Sequence, residues 1–350
     1  MYMATRSTLH PGQAKNIAFI GQKGIPAEFV GTSGVEFYVE NRAGQLTRKG
    51  VRVDCYVRSW ATPRQKTSYR GIKLIHLPTI NTKHLDATIH SFLSSVHVCF
   101  TKADTVWYQA IGPAFFSFIP RLAGKNIMTT IHGLDWKRDK WGWLAKKLLR
   151  FSERIAVANT HQLIVVSNEL RLYYKQTYGR DSVVNPPTVR ARRTVLPDII
   201  TRKYKLKGND YILYMGRFVP EKRIEWLIRA YQSLRPAGTK LVLAGGSSHS
   251  RRYVEFLKRL AHGMRGIIFT DFVLGQEKRE LLSNCALFVL PSSLEGSPTV
   301  ICELPADRTA LVSTGVVRNI KRRAVYSFLT NSKEDFVKQL HVLLQLAEQN

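Results

Sequence analysis

Residues 210–234 read DYILYMGRFVPEKRIEWLIRAYQSL. An apolar run over 210–216 predicts a buried strand, and a helix-length amphipathic segment opens beyond it at Lys222. The same alternation runs through nearly the whole chain. Upstream it predicts strands at 16–21, 51–57, 104–110, 126–132 and 162–167. Downstream, further strands are predicted at 240–246, 266–270 and 286–291. Short apolar runs alternating with helices are the pattern of a parallel sheet covered on both faces. Between the two passes lies VVNPPTVRARRTVLPD, where Pro186, Pro187 and Pro197 together with Arg190, Arg192 and Arg193 cannot sustain a helix or a central strand. The sequence therefore predicts two doubly wound α/β domains, residues 1–188 and 189–350. A cleft between the carboxyl ends of their strands is the expected ligand site, as in open α/β sheets generally.

The chain has 350 residues, of which 44% are hydrophobic, and this is ample for two packed cores. Cys55, Cys99, Cys285 and Cys302 are scattered and form no C-x-x-C pair, so neither a zinc site nor a disulfide framework is indicated. No window reaches the ~18–20 consecutive apolar residues that a spanning helix needs. The opening MYMATRSTLHPGQAK lacks the apolar core of a secretory signal. These features predict a cytoplasmic location. With 53 Lys and Arg against 25 Asp and Glu, the formal net charge is +28, which attracts nucleic acid, anionic lipid headgroups or phosphorylated ligands.

Three motifs carry chemistry. The first strand runs into GQKGIPAEFVGTSGVE, whose glycines include Gly24 and Gly34. Such a strand-to-helix turn allows close backbone approach and aims amides at an anion. Its spacing is not G-x-G-x-x-G, and no acid obviously ends the second strand, which disfavours a nicotinamide dehydrogenase. In GRFVPEKRI, Arg217 follows a strand and Lys222 opens a helix, so a planar bidentate donor and a mobile point charge can clamp a diphosphate. In FVLPSSLEGSPTVICE, Glu295 and Glu303 are candidates for holding the hydroxyls of a sugar and a ribose. Solvated helix charges are the competing reading of that pair.

Together these blocks resemble the retaining glycosyltransferases of family 4, which have the GT-B architecture of two Rossmann-like domains facing across a cleft. GRFVPEKRI is similar to the family's diphosphate-binding segment and EGSPTVICE to its E-x7-E signature. NIAFIGQKGIPAEFVGTSGVEFYVENRAGQL and IHGLDWKRDKWG resemble a rhamnosyltransferase-like branch that builds bacterial surface polysaccharides. The resemblance runs from about Asn16 to about Glu303. It implies that Arg217 and Lys222 bind the donor diphosphate, Glu303 the ribose and Glu295 the sugar hydroxyls. His132, in the His-Gly-Leu-Asp context, falls where the family contacts the donor sugar or the reacting centre. Donor contacts are also expected at Phe272, Val273 and Gly296. The resemblance further implies a nucleotide-diphosphate sugar as donor, a glycan or lipid-linked acceptor, and no metal, because no Asp-x-Asp motif is present and two cations can neutralise the leaving group.

The sequence departs from the family after Glu303, where Pro305 should interrupt a helix and Arg308 replaces a turn glycine. These changes predict a shifted Glu303 or a narrowed phosphate loop and leave loss of activity open. In WKRDKWGWLAKKLLRFSER, Leu144, Leu148, Phe151 and Ile155 form one helical stripe and Lys146, Arg150 and Arg154 another. The apolar stripe is expected to pack on the sheet. The cations with Trp136, Trp141 or Trp143 are expected to dock on an anionic membrane, placing the protein peripherally on its inner face. Two rival readings stay open, a non-catalytic polyanion- or nucleic-acid-binding protein on a decayed transferase fold and a nucleotide-sugar epimerase. The absence of a recognisable nucleic-acid reading module weighs against nucleic acid as a partner.

Overall fold

A computed structural model of the chain describes residues 15–27, 34–80, 82, 85–137, 142–187, 194–246, 250–293, 298–314 and 324–348. The chain divides into two compact units, residues 1–188 and 189–350.

The first unit runs β1 (Asn16–Ile20), α1 (Gly34–Thr47), β2 (Arg52–Arg58), β3 (Ser68–Tyr69), β4 (Ile72–Leu77), α2 (Leu85–Cys99), β5 (Thr105–Gln109), α3 (Ile111–Ala114), α4 (Phe118–Leu122), β6 (Asn126–Ile131), α5 (Trp143–Asn159), β7 (Gln162–Val165), α6 (Asn168–Tyr178) and β8 (Val183–Val184). Its sheet has the order β3-β4-β2-β1-β5-β6-β7-β8. Every pair is parallel except β3 with β4. The second unit runs α7 (Ile199–Tyr204), β9 (Tyr211–Met215), α8 (Ile224–Leu234), β10 (Lys240–Ala244), α9 (Arg251–Leu260), β11 (Ile267–Asp271), α10 (Gly275–Asn284), β12 (Leu287–Leu290), α11 (Thr299–Glu303), β13 (Thr309–Ser313), β14 (Val325–Phe328) and α12 (Lys333–Glu348). Its sheet, β11-β10-β9-β12-β13-β14, is parallel throughout.

Both orders reverse direction at one strand. In the first unit β1 lies between β2 and β5, and in the second β9 lies between β10 and β12. In open α/β sheets a reversal of this kind sends the flanking helices to opposite faces and leaves the ligand crevice at the carboxyl ends of the strands. The two strands have the composition this demands. Ile17 to Ile20 of β1 and Tyr211 to Met215 of β9 are buried without interruption, as in strands covered on both faces. Phe336, Leu340, Leu343 and Leu344 of α12 join the core of the second unit, while Leu346 is exposed.

Five further strands, β3, β4, β8, β13 and β14, complete the sheets, and β3 and β8 are only two residues long. β4, reading IKLIHL, is buried mainly at alternate positions near the edge of its sheet. In β14 only Phe328 is fully buried, and β13 begins directly after a charged turn. One expectation is overturned. Most of the apolar stripe of α5 does not pack on the sheet, since Leu144 is 66%, Leu148 61% and Phe151 53% exposed and only Ile155 at its end is half-buried. The helix buries Ser152, Glu153, Ala156 and Val157 instead. The reason is Glu153, whose carboxylate accepts hydrogen bonds from Trp136 at 3.0 Å and Tyr174 at 2.6 Å and turns that face inward.

Candidate functional site

The second unit assembles its strand ends around two glycines. The Gly216 amide donates to the Ala244 carbonyl and the Phe218 amide to the Gly246 carbonyl, both at 2.9 Å, and the Gly245 amide donates to Asp271 at 2.8 Å. These bonds stitch the carboxyl ends of β9, β10 and β11 into one floor. Gly245 has φ +140°, and a Cβ there would lie 1.8 Å from the Gly216 carbonyl oxygen, so only glycine fits the approach.

Arg217 leaves this floor as an exposed side chain, while its carbonyl accepts a hydrogen bond from the Tyr214 hydroxyl at 3.0 Å. Lys222 closes the short turn Pro220–Lys222, and Arg223, with φ 50°, then hands the chain into α8. The segment following β12 is pinned to the same turn. Ser293 donates from its amide and its hydroxyl to the Glu221 carbonyl, at 2.9 and 3.1 Å. Two of the expected diphosphate ligands and the stretch leading toward Glu295 thus share one edge of one sheet. Phe272 and Val273 follow β11 on that edge, Phe272 half exposed and Val273 buried. A Cβ on Gly246 would lie 3.0 Å from the Phe272 ring. Glu295 and Gly296 fall outside the described residues.

Glu303 is the last residue of α11, and the helix stops there because Leu304 precedes Pro305 and is extended, with φ −60° and ψ 142°. Pro305 therefore limits α11 to five residues. Arg308 donates to the Asn209 side chain. Glu303 is buried, and Lys278 of α10 meets its carboxylate at 2.8 Å. Lys278 is itself buried and was not singled out in the sequence. A signal existed, since Lys278 precedes Leu281 and Leu282 by three and four residues and so shares their inward face.

The first unit places its candidates at the carboxyl edge of its own sheet. Gly21 follows β1 with φ +115°, where a Cβ would lie 2.5 Å from the Gln109 carbonyl oxygen. His132 follows β6, and its Nε2 is 3.0 Å from Gln109 Oε1. The Tyr38 ring stands edge-on to the imidazole, 5.0 Å between centroids, and its hydroxyl accepts from the Asn185 amide at 3.2 Å. Burial pushes the Tyr38 phenol above its ordinary range. Gln109, Tyr38 and Asn185 orient His132 and carried no sequence signal of their own.

Gly24 is buried in a loop already held by carboxylates of α1. The Lys23 amide donates to Glu36 and the Ala27 amide to Glu40, each at 2.8 Å. An anion approaching those two amides would meet negative charge. Gly34 opens α1. Beside this loop, Arg58 and Asp86 form a buried ion pair at 2.7 Å, which Trp60 supports by donating to Asp86 at 3.0 Å.

Below that pair lies His90 of α2. Burial, reinforced by the Arg58 charge, brings its imidazole from 6.5 down to about 4. The unfolded chain therefore binds this proton at higher pH than the folded one, so the stability contribution is complete above about 6.5 and is lost as the pH falls toward about 4. Urea unfolding of the wild type should show stability falling across that window by up to about 1.4 kcal/mol per pH unit from this group. His90→Leu should flatten the slope, and an unchanged slope in that variant would refute the assignment.

Among the described residues, no group of three or more His, Cys, Asp or Glu side chains could hold a metal ion. Residues 32–193 match the family model for Glycosyltransferase Family 4, and residues 209–346 match that for Glycosyl transferases group 1. Both units are glycosyltransferase domains. The chain is 28% identical to the uncharacterized glycosyltransferase YqgM of Bacillus subtilis over 51% of its own length and 49% of that protein's, so it spans about half of that relative. It is 25% identical to the GDP-mannose-dependent alpha-(1-6)-phosphatidylinositol monomannoside mannosyltransferase of Mycolicibacterium smegmatis, over 75% of this chain and 70% of that protein. The sucrose-phosphate synthase of Thermosynechococcus elongatus superposes with a TM-score of 0.78 at 18% identity, covering 95% of this chain and 90% of that one. The fold is thus GT-B, with the family 4 unit in the amino-terminal half and the group 1 unit in the carboxyl-terminal half.

Proposed function

We propose that the protein is a retaining glycosyltransferase that moves a hexose or deoxyhexose from a nucleoside-diphosphate sugar to a glycan or lipid-linked acceptor at the cytoplasmic face of a membrane. The group 1 unit takes the donor and the family 4 unit the acceptor. The observation that carries this reading is the placement of Arg217 and Lys222 on the turn leaving β9, the strand at which the sheet order of the group 1 unit reverses. The rhamnosyltransferase-like sequence blocks favour the deoxyhexose donor. The mycolicibacterial relative, whose name specifies GDP-mannose and a phosphatidylinositol mannoside, supports a nucleotide-linked hexose and a lipid-borne acceptor.

In this mechanism the departing group is a nucleoside diphosphate, on which negative charge grows as the glycosidic bond breaks. Arg217 supplies planar paired donors and Lys222 a compact positive charge, fixed before the reaction begins. The acceptor hydroxyl attacks the face of the sugar from which the diphosphate departs, without a protein nucleophile: its oxygen bonds to the anomeric carbon as the bond to the diphosphate breaks, and its proton passes to the departing phosphate oxygen. His132 contacts the sugar or the reacting centre, and Glu295 and Glu303 hold the sugar and ribose hydroxyls. Two cations neutralise the leaving group without a metal, so turnover should survive EDTA. The epimerase and polyanion-binding readings are not favoured, because each unit matches a transferase domain family.

Titration calorimetry with UDP, GDP, TDP and ADP at moderate salt tests the donor site. The wild type should bind one base selectively, and Lys222→Ala and Arg217→Ala should each weaken that binding by at least tenfold, about 1.4 kcal/mol. Equal weak binding of all four, unchanged in both variants, would mean simple attraction to a protein of net charge +28 and would end the proposal.

A further inference from the structure

The exposed face of α5 has two adjoining stripes. Leu144, Leu148 and Phe151 follow one another at spacings of four and three residues and form an apolar stripe. Lys147, Arg150 and Arg154 form a basic stripe immediately beside it, and all six side chains are exposed. Trp143 stands at the start of the helix, 70% exposed, with the Lys147 ammonium 4.8 Å from its ring. The one acid of the helix, Glu153, is buried and engaged by Trp136 and Tyr174, so no acid of α5 itself offsets the cations on its outer face. Trp136 is drawn into the same inner network, with Arg150 stacked 4.1 Å over its ring. Trp141 lies outside the described residues.

The apolar stripe continues beyond the helix. Phe151 meets Phe115 at 6.3 Å between centroids, Phe115 meets Phe116 at 5.1 Å, and Phe116 meets the half-exposed Phe92 of α2 at 5.6 Å. In the next turn of chain Leu122 is 85% exposed. An apolar surface this continuous is unusual on a face left to water and marks a docking site. Its occupant has to accept aliphatic and aromatic side chains and also carry negative charge along one border. A second copy of the same basic face fails the charge condition, and a nucleic acid has no use for the leucine stripe.

We propose that α5, with the aromatic seam running from Phe151 to Phe92, seats the family 4 unit on an anionic lipid bilayer. Leu144, Leu148, Phe151 and Trp143 enter the headgroup boundary while Lys147, Arg150 and Arg154 meet lipid phosphates. The surface involves none of the residues assigned to the donor, so docking and nucleotide binding can fail separately.

The test is sedimentation of the full chain with vesicles of phosphatidylcholine alone or mixed with phosphatidylglycerol, with tryptophan emission recorded in parallel. The wild type should bind the anionic vesicles at least tenfold more tightly than the neutral ones, with a blue shift that Trp143→Phe diminishes. Leu148→Ser with Phe151→Ser should lower anionic binding at least tenfold while leaving nucleotide binding unchanged and the protein folded, because more than half of each side chain is already exposed. Lys147→Glu with Arg154→Glu should remove the preference for anionic lipid. Undiminished binding in the serine pair would show attraction by net charge alone and overturn the proposal. Absence of vesicle binding, or a dimer in light scattering that the serine pair dissociates, would overturn it equally.

Discussion

Lys278→Met is expected to destabilise the group 1 unit by about 3–5 kcal/mol, because it strands the Glu303 carboxylate in a buried position without its counter-charge. Lys278 and Glu303 are 9% and 3% exposed and 2.8 Å apart, so neither can turn to water without moving its helix. Glu303→Gln removes the carboxylate charge from Lys278 and should lower stability less, since an amide oxygen still accepts a hydrogen bond. The double variant Lys278→Met with Glu303→Leu removes both charges and should regain most of the loss, as apolar replacements of buried ion pairs commonly do. Thermal and urea unfolding monitored separately in each variant measures the coupling. If Lys278→Met unfolds like the wild type, the pair is not buried in solution. The same series separates two duties of Glu303. When the double variant is stable yet fails to bind the nucleotide that the wild type selects, the carboxylate itself contacts the ligand. If the double variant binds normally, Glu303 serves only the packing of α10 against α11, and the ribose contact belongs elsewhere.

This pair shows where sequence reading stops. Glu303 stands out because it is spaced from Glu295 in a segment that follows a strand, but spacing says nothing about a partner 25 positions upstream. Lys278 looks like one more charge in GQEKRELL, and only the inward direction of Leu281 and Leu282 reveals that it points the same way. The strands over 210–216 and 286–291 were legible because both their faces are covered, and a doubly covered strand must be apolar throughout. β4 and β14 lie at or near sheet edges, where one face or most of both meets water, and their composition carries no comparable mark. The inward face of α5 is illegible for a related reason. Its 3.6-residue period correctly predicted a helix, yet period alone does not say which stripe faces inward. Glu153 decided that, through a network of Trp136, Tyr173 and Tyr174 assembled from two other segments of chain.

Gly245→Ala is expected to cost about 3–6 kcal/mol, adding backbone strain to the penalty of overpacking. At φ +140° an L-residue is strained whatever the space around it, and here its Cβ would also lie 1.8 Å from the Gly216 carbonyl oxygen and 3.3 Å from the Phe218 ring. Relief requires β9 and β10 to part at their carboxyl ends, where the Gly216 amide bonds to Ala244 and the Phe218 amide to Gly246. Arg217 sits between those two bonded residues, so the displacement reaches the proposed diphosphate site directly. Gly238→Ala is the control. Its φ of +68° carries the left-handed strain, but nothing lies within 4 Å of its Cβ, so a loss of only about 1 kcal/mol is expected. Thermal unfolding should therefore rank the two variants far apart. Nucleotide calorimetry, at a temperature where both remain folded, should find wild-type affinity in Gly238→Ala and at least a tenfold loss in Gly245→Ala. Normal binding in a folded Gly245→Ala protein would separate Arg217 from the diphosphate, because the floor that positions it would have been disturbed without consequence.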